Sequence, residues 1–246
     1  MLADASGLAR AAAEHFVGLA ASAISAHGRF AVALAGGETP RGMYAQLSSA
    51  AFAERVAWPQ VHVFWGDERC VAPGHPESNY RMARETLLDK VPLPTANIHR
   101  MRGEREPAQA AIEYARELRH FFAQPSQPGA DEALLPRLDL ILLGMGGDGH
   151  TASLFPGTAA LRERRRWVVA HYVEPVHSWR MTLTLPAINA AAQVTFIISG
   201  KAKAERLRQV LAGADAANGL PAQMVNPTDG RLLWLVDADA ASLLPR

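Results

Sequence analysis

An α/β fold, built on a mostly parallel sheet with helices on both faces, is what this sequence predicts, and three observations predict it. Short apolar, β-branched runs recur along the chain, longer helical stretches separate them, and glycine-rich or polar clusters follow several of the runs directly. The 246 residues are 49% apolar with a formal net charge of +1, which suits one large globular domain or two small ones.

The elements follow in chain order. Residues 3–26 read as an amphipathic helix; their alanine content imitates a signal peptide, but Asp4, Arg10, Glu14 and His15 interrupt any apolar core. Residues 30–35 and 61–65 are expected as the first two strands, with a helix over 40–48 between them. Helices are expected over 80–88 and 107–122, and 124–137, with Pro125, Pro128, Gly129 and Pro136, reads as a surface connection. Further strands are expected at 138–143, 167–171, 181–185, 194–199 and 232–236, and helices at 187–191 and 203–211.

Composition removes several classes of function. Balanced charge leaves no basic face for nucleic acid or a membrane surface, and no apolar run is long enough to span a bilayer. The basic run Arg162, Arg164, Arg165, Arg166 is interrupted by Glu163 and reads as a solvated helix end. A single cysteine, Cys70, fits a reducing, cytoplasmic setting. The nine histidines are scattered without HxH or HExxH spacing, so no protein-bound metal is expected. Ser153 lies in no GxSxG elbow and reads as packing.

Ligands of an open parallel sheet bind beyond the carboxyl ends of its strands, which directs attention to the residues after each run. Gly36-Gly37-Glu38-Thr39-Pro40 follows the first, with Thr39 as expected N-cap and Pro40 as first helical residue; free amides at such a start bind anions. Gly66-Asp67-Glu68-Arg69 follows the second: a solvated turn, or carboxylates that orient a histidine or carry protons. After the third comes Gly144-Met145-Gly146-Gly147-Asp148-Gly149-His150, which matches the dinucleotide fingerprint GxGxxG. Pro156 and Gly157 arrive too early for the helix that fingerprint requires, and no acidic residue ends the next strand. The glycines therefore present Asp148 and His150 to a ligand. Gly200 and Lys203 follow the 194–199 run.

These segments, together with Ser78-Asn79-Tyr80-Arg81-Met82-Ala83, GMGGDGHTASLFPG at 144–157, Arg180-Met181-Thr182-Leu183-Thr184-Leu185-Pro186 and Leu233-Trp234-Leu235-Val236-Asp237, resemble the successive signatures of 6-phosphogluconolactonases. The resemblance implies a Rossmann-like fold similar to glucosamine-6-phosphate deaminase, over a single domain of residues 1–246. It also implies cofactor-free hydrolysis of 6-phosphoglucono-δ-lactone in the oxidative pentose phosphate pathway, by a cytoplasmic monomer or homodimer. By motif, His150 is then the general base, Asp67 and Asp148 shape or orient the site, and Arg69 meets the carbonyl or the phosphate. The phosphate lies on the Gly36, Gly37 and Thr39 turn, with Arg180 and Lys203 as charge partners. Two competing readings are a sugar-phosphate isomerase or deaminase on the same scaffold, and a non-catalytic sugar-phosphate sensor. Phe155 stands where the deaminases of this superfamily carry a glutamate, which speaks against the first.

Overall fold

A computed structural model describes residues 1–123, 135–213 and 219–245. Its helices are α1 (Ala5–His27), α2 (Glu38–Leu47), α3 (Ala50–Ala53), α4 (Asn79–Thr86), α5 (Pro107–Phe122), α6 (Ala159–Arg162), α7 (Leu185–Asn189) and α8 (Ala204–Leu211). The strands are β1 (Phe30–Leu34), β2 (Val61–Trp65), β3 (Asp67–Arg69), β4 (Leu140–Leu143), β5 (Val168–Val173), β6 (Ser178–Leu183), β7 (Gln193–Ile198) and β8 (Arg231–Val236). Five strands make a parallel sheet in the order β2-β1-β4-β7-β8, and three make a smaller antiparallel sheet in the order β3-β6-β5.

Burial explains the sequence pattern. Strands β1, β4 and β7 are interior in the parallel sheet and buried at every residue, so β1 and β4 read as unbroken apolar runs rather than alternating ones, while β7 buries Gln193 and Thr195 among its apolar residues. The edge strand β8 begins exposed at Arg231 and Leu232. Helix α1 starts where the Asp4 carboxylate accepts the Gly7 amide at 2.8 Å and ends at Gly28, whose φ of 80° stops the helix in the left-handed region. Its buried face carries Leu8, Ala12, Phe16 and Ala20 at four-residue spacing. One continuous apolar cluster includes Leu8, Val32, Leu142, Phe196, Val168 and Met181, so it runs beneath both sheets. No described helix is long and apolar enough to cross a membrane.

The structure departs from the expectations in three places. The charged triplet after β2 is a strand, β3, and not a turn. The strands expected at 167–171 and 181–185 leave the parallel sheet and pair antiparallel with each other, and the second also pairs with β3, which puts His171, Arg180 and Arg69 on one rung. Arg180 consequently sits inside β6 instead of preceding its strand. Most of the 124–137 connection lies outside the described residues.

Two buried tyrosines close the ends of strands that the site begins on. The Tyr44 hydroxyl, on α2, accepts the Ala35 amide at 3.0 Å and donates to the Ala35 carbonyl at 2.8 Å. The Tyr114 hydroxyl, on α5, accepts the Trp65 amide at 2.9 Å and donates to the Trp65 carbonyl at 3.3 Å. Burial pushes both phenols well above their ordinary range, so both stay protonated.

Glu68 explains why a charged residue is buried in β3. Its carboxylate accepts the amides of Arg69, Asn79 and Tyr80, each at 2.8 Å, and the Ser78 hydroxyl at 3.1 Å, which supplies an anion to the start of α4. Burial raises the Glu68 pKa and the three amides oppose that rise. Replacing it by glutamine turns one acceptor oxygen into a donor facing N–H groups. We expect Glu68→Gln to lose roughly 2–4 kcal/mol of unfolding free energy, read from the urea midpoint at constant m-value.

Candidate active site

In the parallel sheet the chain leaves β1 toward β2 on one side, while β4, β7 and β8 lie on the other. The crevice between the carboxyl ends of β1 and β4 is therefore the topological switch point, where ligands of open α/β sheets bind. A cleft of about 360 Å³ opens there, and the turns after β1, β2, β4 and β7 all contribute to it. Of the residues singled out from sequence, Gly36, Gly37, Thr39, Asp67, Arg69, His150 and Lys203 line this cleft together. Asp148 and Arg180 do not line it; each stands beside a residue that does.

The first wall is the start of α2. The helix begins at Glu38 with Gly37 as N-cap, so Thr39 is the second helical residue and not the cap, and Pro40 is the third. The reason is local: Gly37 takes φ 99°, which turns the chain into the helix without a capping side chain, and the first intrahelical bond is Arg41 N–H to the Gly37 carbonyl at 3.2 Å. A proline at the third position loses nothing, because the N–H it lacks has no acceptor one turn earlier. Among the described residues no side chain caps this helix. Its first amides are free for an anion in the cleft.

The opposite wall is the loop after β4. The Asp148 carboxylate accepts the His150 amide at 3.0 Å and the His150 ring Nδ1 at 2.6 Å. An ionised carboxylate only accepts, so Nδ1 carries a proton, and in the neutral ring the lone pair is on Nε2. Burial raises the Asp148 pKa, but the His150 amide and ring outweigh it and hold the carboxyl below its ordinary value. Phe155 stacks on the imidazole with centroids 4.1 Å apart. Gly146 fits beneath the pair only because it lacks a side chain: a Cβ there would overlap the His150 ring and come within 2.6 Å of Asp148 Oδ1.

The floor comes from the antiparallel sheet. Asp67 and Arg69 share a face of β3 with Thr182 and Arg180 of β6, directly opposite in register. Both Asp67 oxygens are engaged, Oδ2 by the Ser153 hydroxyl at 2.6 Å and Oδ1 by the Asn79 amide at 3.3 Å. Arg180 is 8% exposed, and its Nε has no partner among the described residues. Burial lowers its pKa and the neighbouring Arg69 adds to that, while Asp67 opposes it. Two adjacent guanidiniums with an unsatisfied buried N–H form a receptor for an anionic oxygen.

The remaining corner is the turn after β7. Gly200, with φ 91°, donates its amide to the Asp237 carboxylate, which also accepts the Ser199 hydroxyl and the Ala240 amide at 2.8 Å. This clamp aims the 3₁₀ turn Lys201–Lys203 so that Lys203 reaches the cleft. Among the described residues, no group of three or more His, Cys, Asp and Glu side chains is arranged to hold a metal ion.

Reading the sequence missed Asn79, Ser153, Phe155, His171 and Asp237 as parts of this assembly. Ser153 is a hydrogen-bond donor to Asp67 and not mere packing, and His171 Nε2 donates to the Ser153 carbonyl at 2.8 Å. The available signal was weak: Phe155 is an apolar residue in an apolar stretch, and the bonds of Ser153, His171 and Asp237 to Asp67, Ser153 and Ser199 join positions 86, 18 and 38 apart.

Comparison with known proteins identifies the family and the fold. The family described as glucosamine-6-phosphate isomerases/6-phosphogluconolactonase matches residues 3–234. A 6-phosphogluconolactonase from Nostoc sp. is 43% identical over 224 residues, covering 91% of this chain and 88% of the relative. The solved structure of 6-phosphogluconolactonase from Trypanosoma cruzi superposes with a TM-score of 0.86 at 26% identity, covering 100% of this chain and 96% of that one. A monomeric glucosamine-6-phosphate deaminase shares the fold, with a TM-score of 0.79 at 22% identity over 99% of this chain and 98% of its own. With the match running through all four turns of the cleft, the chain belongs to the glucosamine-6-phosphate isomerase/6-phosphogluconolactonase family.

Proposed function

We propose that this cleft hydrolyses 6-phosphoglucono-δ-lactone to 6-phosphogluconate, as a step of the oxidative pentose phosphate pathway. The observation that carries the reading is the His150–Asp148 pair, held at 2.6 Å on the lip of a cleft whose other wall is the uncapped start of α2. A phosphate suits the free amides near Gly36, Gly37 and Thr39, and Lys203 supplies a charge across the same space. Arg69 and Arg180 give positive charge to the floor.

The chemistry then follows from the tautomer. Nε2 of His150 takes a proton from water as the water oxygen attacks the lactone carbonyl, forming a tetrahedral oxyanion. Collapse of that intermediate breaks the bond to the ring oxygen, which receives the proton back from the imidazolium and becomes a hydroxyl. The new carboxylic acid releases its proton to solvent, so atoms and charge balance. Asp148, kept ionised, steadies the imidazolium between these transfers.

The direct test is the rate at which purified protein removes the lactone beyond its spontaneous opening. No acceleration rejects the reading, and release of ammonia from glucosamine 6-phosphate would place the chain with the deaminases. Asp148→Asn keeps the shape but removes the negative charge that fixes the proton on Nδ1 and steadies the imidazolium. We expect kcat to fall about 10- to 100-fold with little change in KM, measured by steady-state lactone consumption.

The same reading places the enzyme in the cytoplasm, as a single domain over residues 1–246 acting as a monomer or homodimer. One continuous core beneath both sheets supports the single domain.

A further inference from the structure

The reaction proposed above uses His150, Asp148 and the cationic floor, yet the buried polar side chain of Asn79, which faces the cleft, has no role in it. Asn79 opens α4 and is 3% exposed, and it lines the cleft beside Gly36. Its Nδ2 donates to the Asp67 backbone carbonyl at 2.9 Å and to Asp67 Oδ1 at 3.3 Å. Both of those partners are acceptors only, so the amide cannot be flipped: an oxygen in that place would face two oxygens. The carbonyl Oδ1 is thereby pointed the other way, toward Gly36.

Gly36 leaves room for it. A Cβ on Gly36 would overlap Oδ1 outright and fall within 2.9 Å of Nδ2, so this turn must be glycine for the amide to reach the cleft. Among the described residues no donor reaches Asn79 Oδ1. An amide oxygen that no described protein donor meets, held in one orientation by two bonds from its own nitrogen at the edge of the cleft, is left for a ligand to complete, and it loses its partner when a bound ligand brings no donor there.

We propose that Asn79 is a specificity-determining residue whose Oδ1 accepts a hydrogen bond from one ring hydroxyl of the phosphosugar lactone. The inference rests on the lactonase reading for the identity of the substrate. It adds a reason for the cleft to prefer a polyhydroxylated ring over a plain phosphorylated lactone. A site built around an unsatisfied acceptor penalises a ligand that lacks the donor far more than it rewards one that has it. Asn79 also fixes Asp67, so its loss has two effects, and only the first depends on the hydroxyl.

The experiment separates the two. The 2-deoxy, 3-deoxy and 4-deoxy analogues of 6-phosphoglucono-δ-lactone are compared with the parent by kcat/KM, using wild type, Asn79→Ala and the milder Asn79→Ser. In the wild type one analogue is expected to fall about 10- to 100-fold below the parent. In both variants that gap shrinks to within about threefold, because the parent loses the same bond. An equal loss on all four substrates, preserving wild-type selectivity, assigns Asn79 a purely structural role and overturns the proposal. So does a wild type that treats every deoxy analogue like the parent. Should both variants unfold, calorimetric binding of 6-phosphogluconate and its deoxy analogues to wild type decides: equal affinities overturn the proposal, and one weakened analogue supports it. Failure of the wild type to accelerate opening of the parent lactone is a separate outcome that removes the lactonase reading, and the binding series still judges Asn79.

Discussion

His150→Ala is expected to lower kcat on 6-phosphoglucono-δ-lactone by about 10² to 10⁴, the range for loss of a general base, with KM for the lactone nearly unchanged. The asymmetry follows from where the imidazole sits. Its Nδ1 is engaged by Asp148 and its ring by Phe155, so the only nitrogen open to the cleft is the one that handles the proton. The anion-binding start of α2 and Lys203 are contributed by other elements and survive the substitution. Stopped-flow consumption of freshly generated lactone, corrected for spontaneous opening, gives kcat and KM separately. A variant that keeps wild-type kcat removes His150 from the chemistry.

Gly146→Ala should be nearly as damaging, for a reason no inspection of side chains would suggest. The backbone there does not need glycine's left-handed freedom, since Gly146 is absent from the positive-φ glycines. What it needs is space: the added methyl overlaps the His150 ring and approaches Asp148 Oδ1 to 2.6 Å. The pair must swing away, and misplacement of a catalytic group by about 1 Å costs on the order of 10²-fold. Thermal unfolding should move little, because the displaced side chains are partly exposed. Gly147→Ala is the matched control, since a Cβ at Gly147 meets nothing within 4 Å. Turnover of that variant within about twofold of wild type, beside a crippled Gly146→Ala, isolates the steric cause. Equal turnover of both alanine variants would count against the His150 geometry described here.

Much of the framework was legible in the sequence because burial on both faces leaves an unmistakable trace. The runs that became β1, β2, β4 and β7 were located within a residue or two, and α5 matched its expected bounds, Pro107–Phe122. The second sheet was not legible. Its first strand is Asp67-Glu68-Arg69, which no hydrophobic pattern can reveal, since its two carboxylates are buried through partners supplied by Asn79, Tyr80 and Ser153. Antiparallel pairing of β5 and β6 is equally silent, because alternation alone does not state the direction of a neighbour. Within the site, the clusters that follow parallel strands were found and the residues that orient them were not. Ser153 and Asp67 lie 86 positions apart, and only the folded chain brings them within 2.6 Å.

The phenols of Tyr44 and Tyr114 have a wider consequence. By meeting both the donor and the acceptor of Ala35, just past β1, and of Trp65, the last residue of β2, each stands in for a neighbouring chain at the point where the ladder stops. The sheet is hemmed before the reactive turns begin, so a longer, shorter or differently charged turn need not unravel the strand that carries it. A scaffold finished in this way can be refitted one turn at a time.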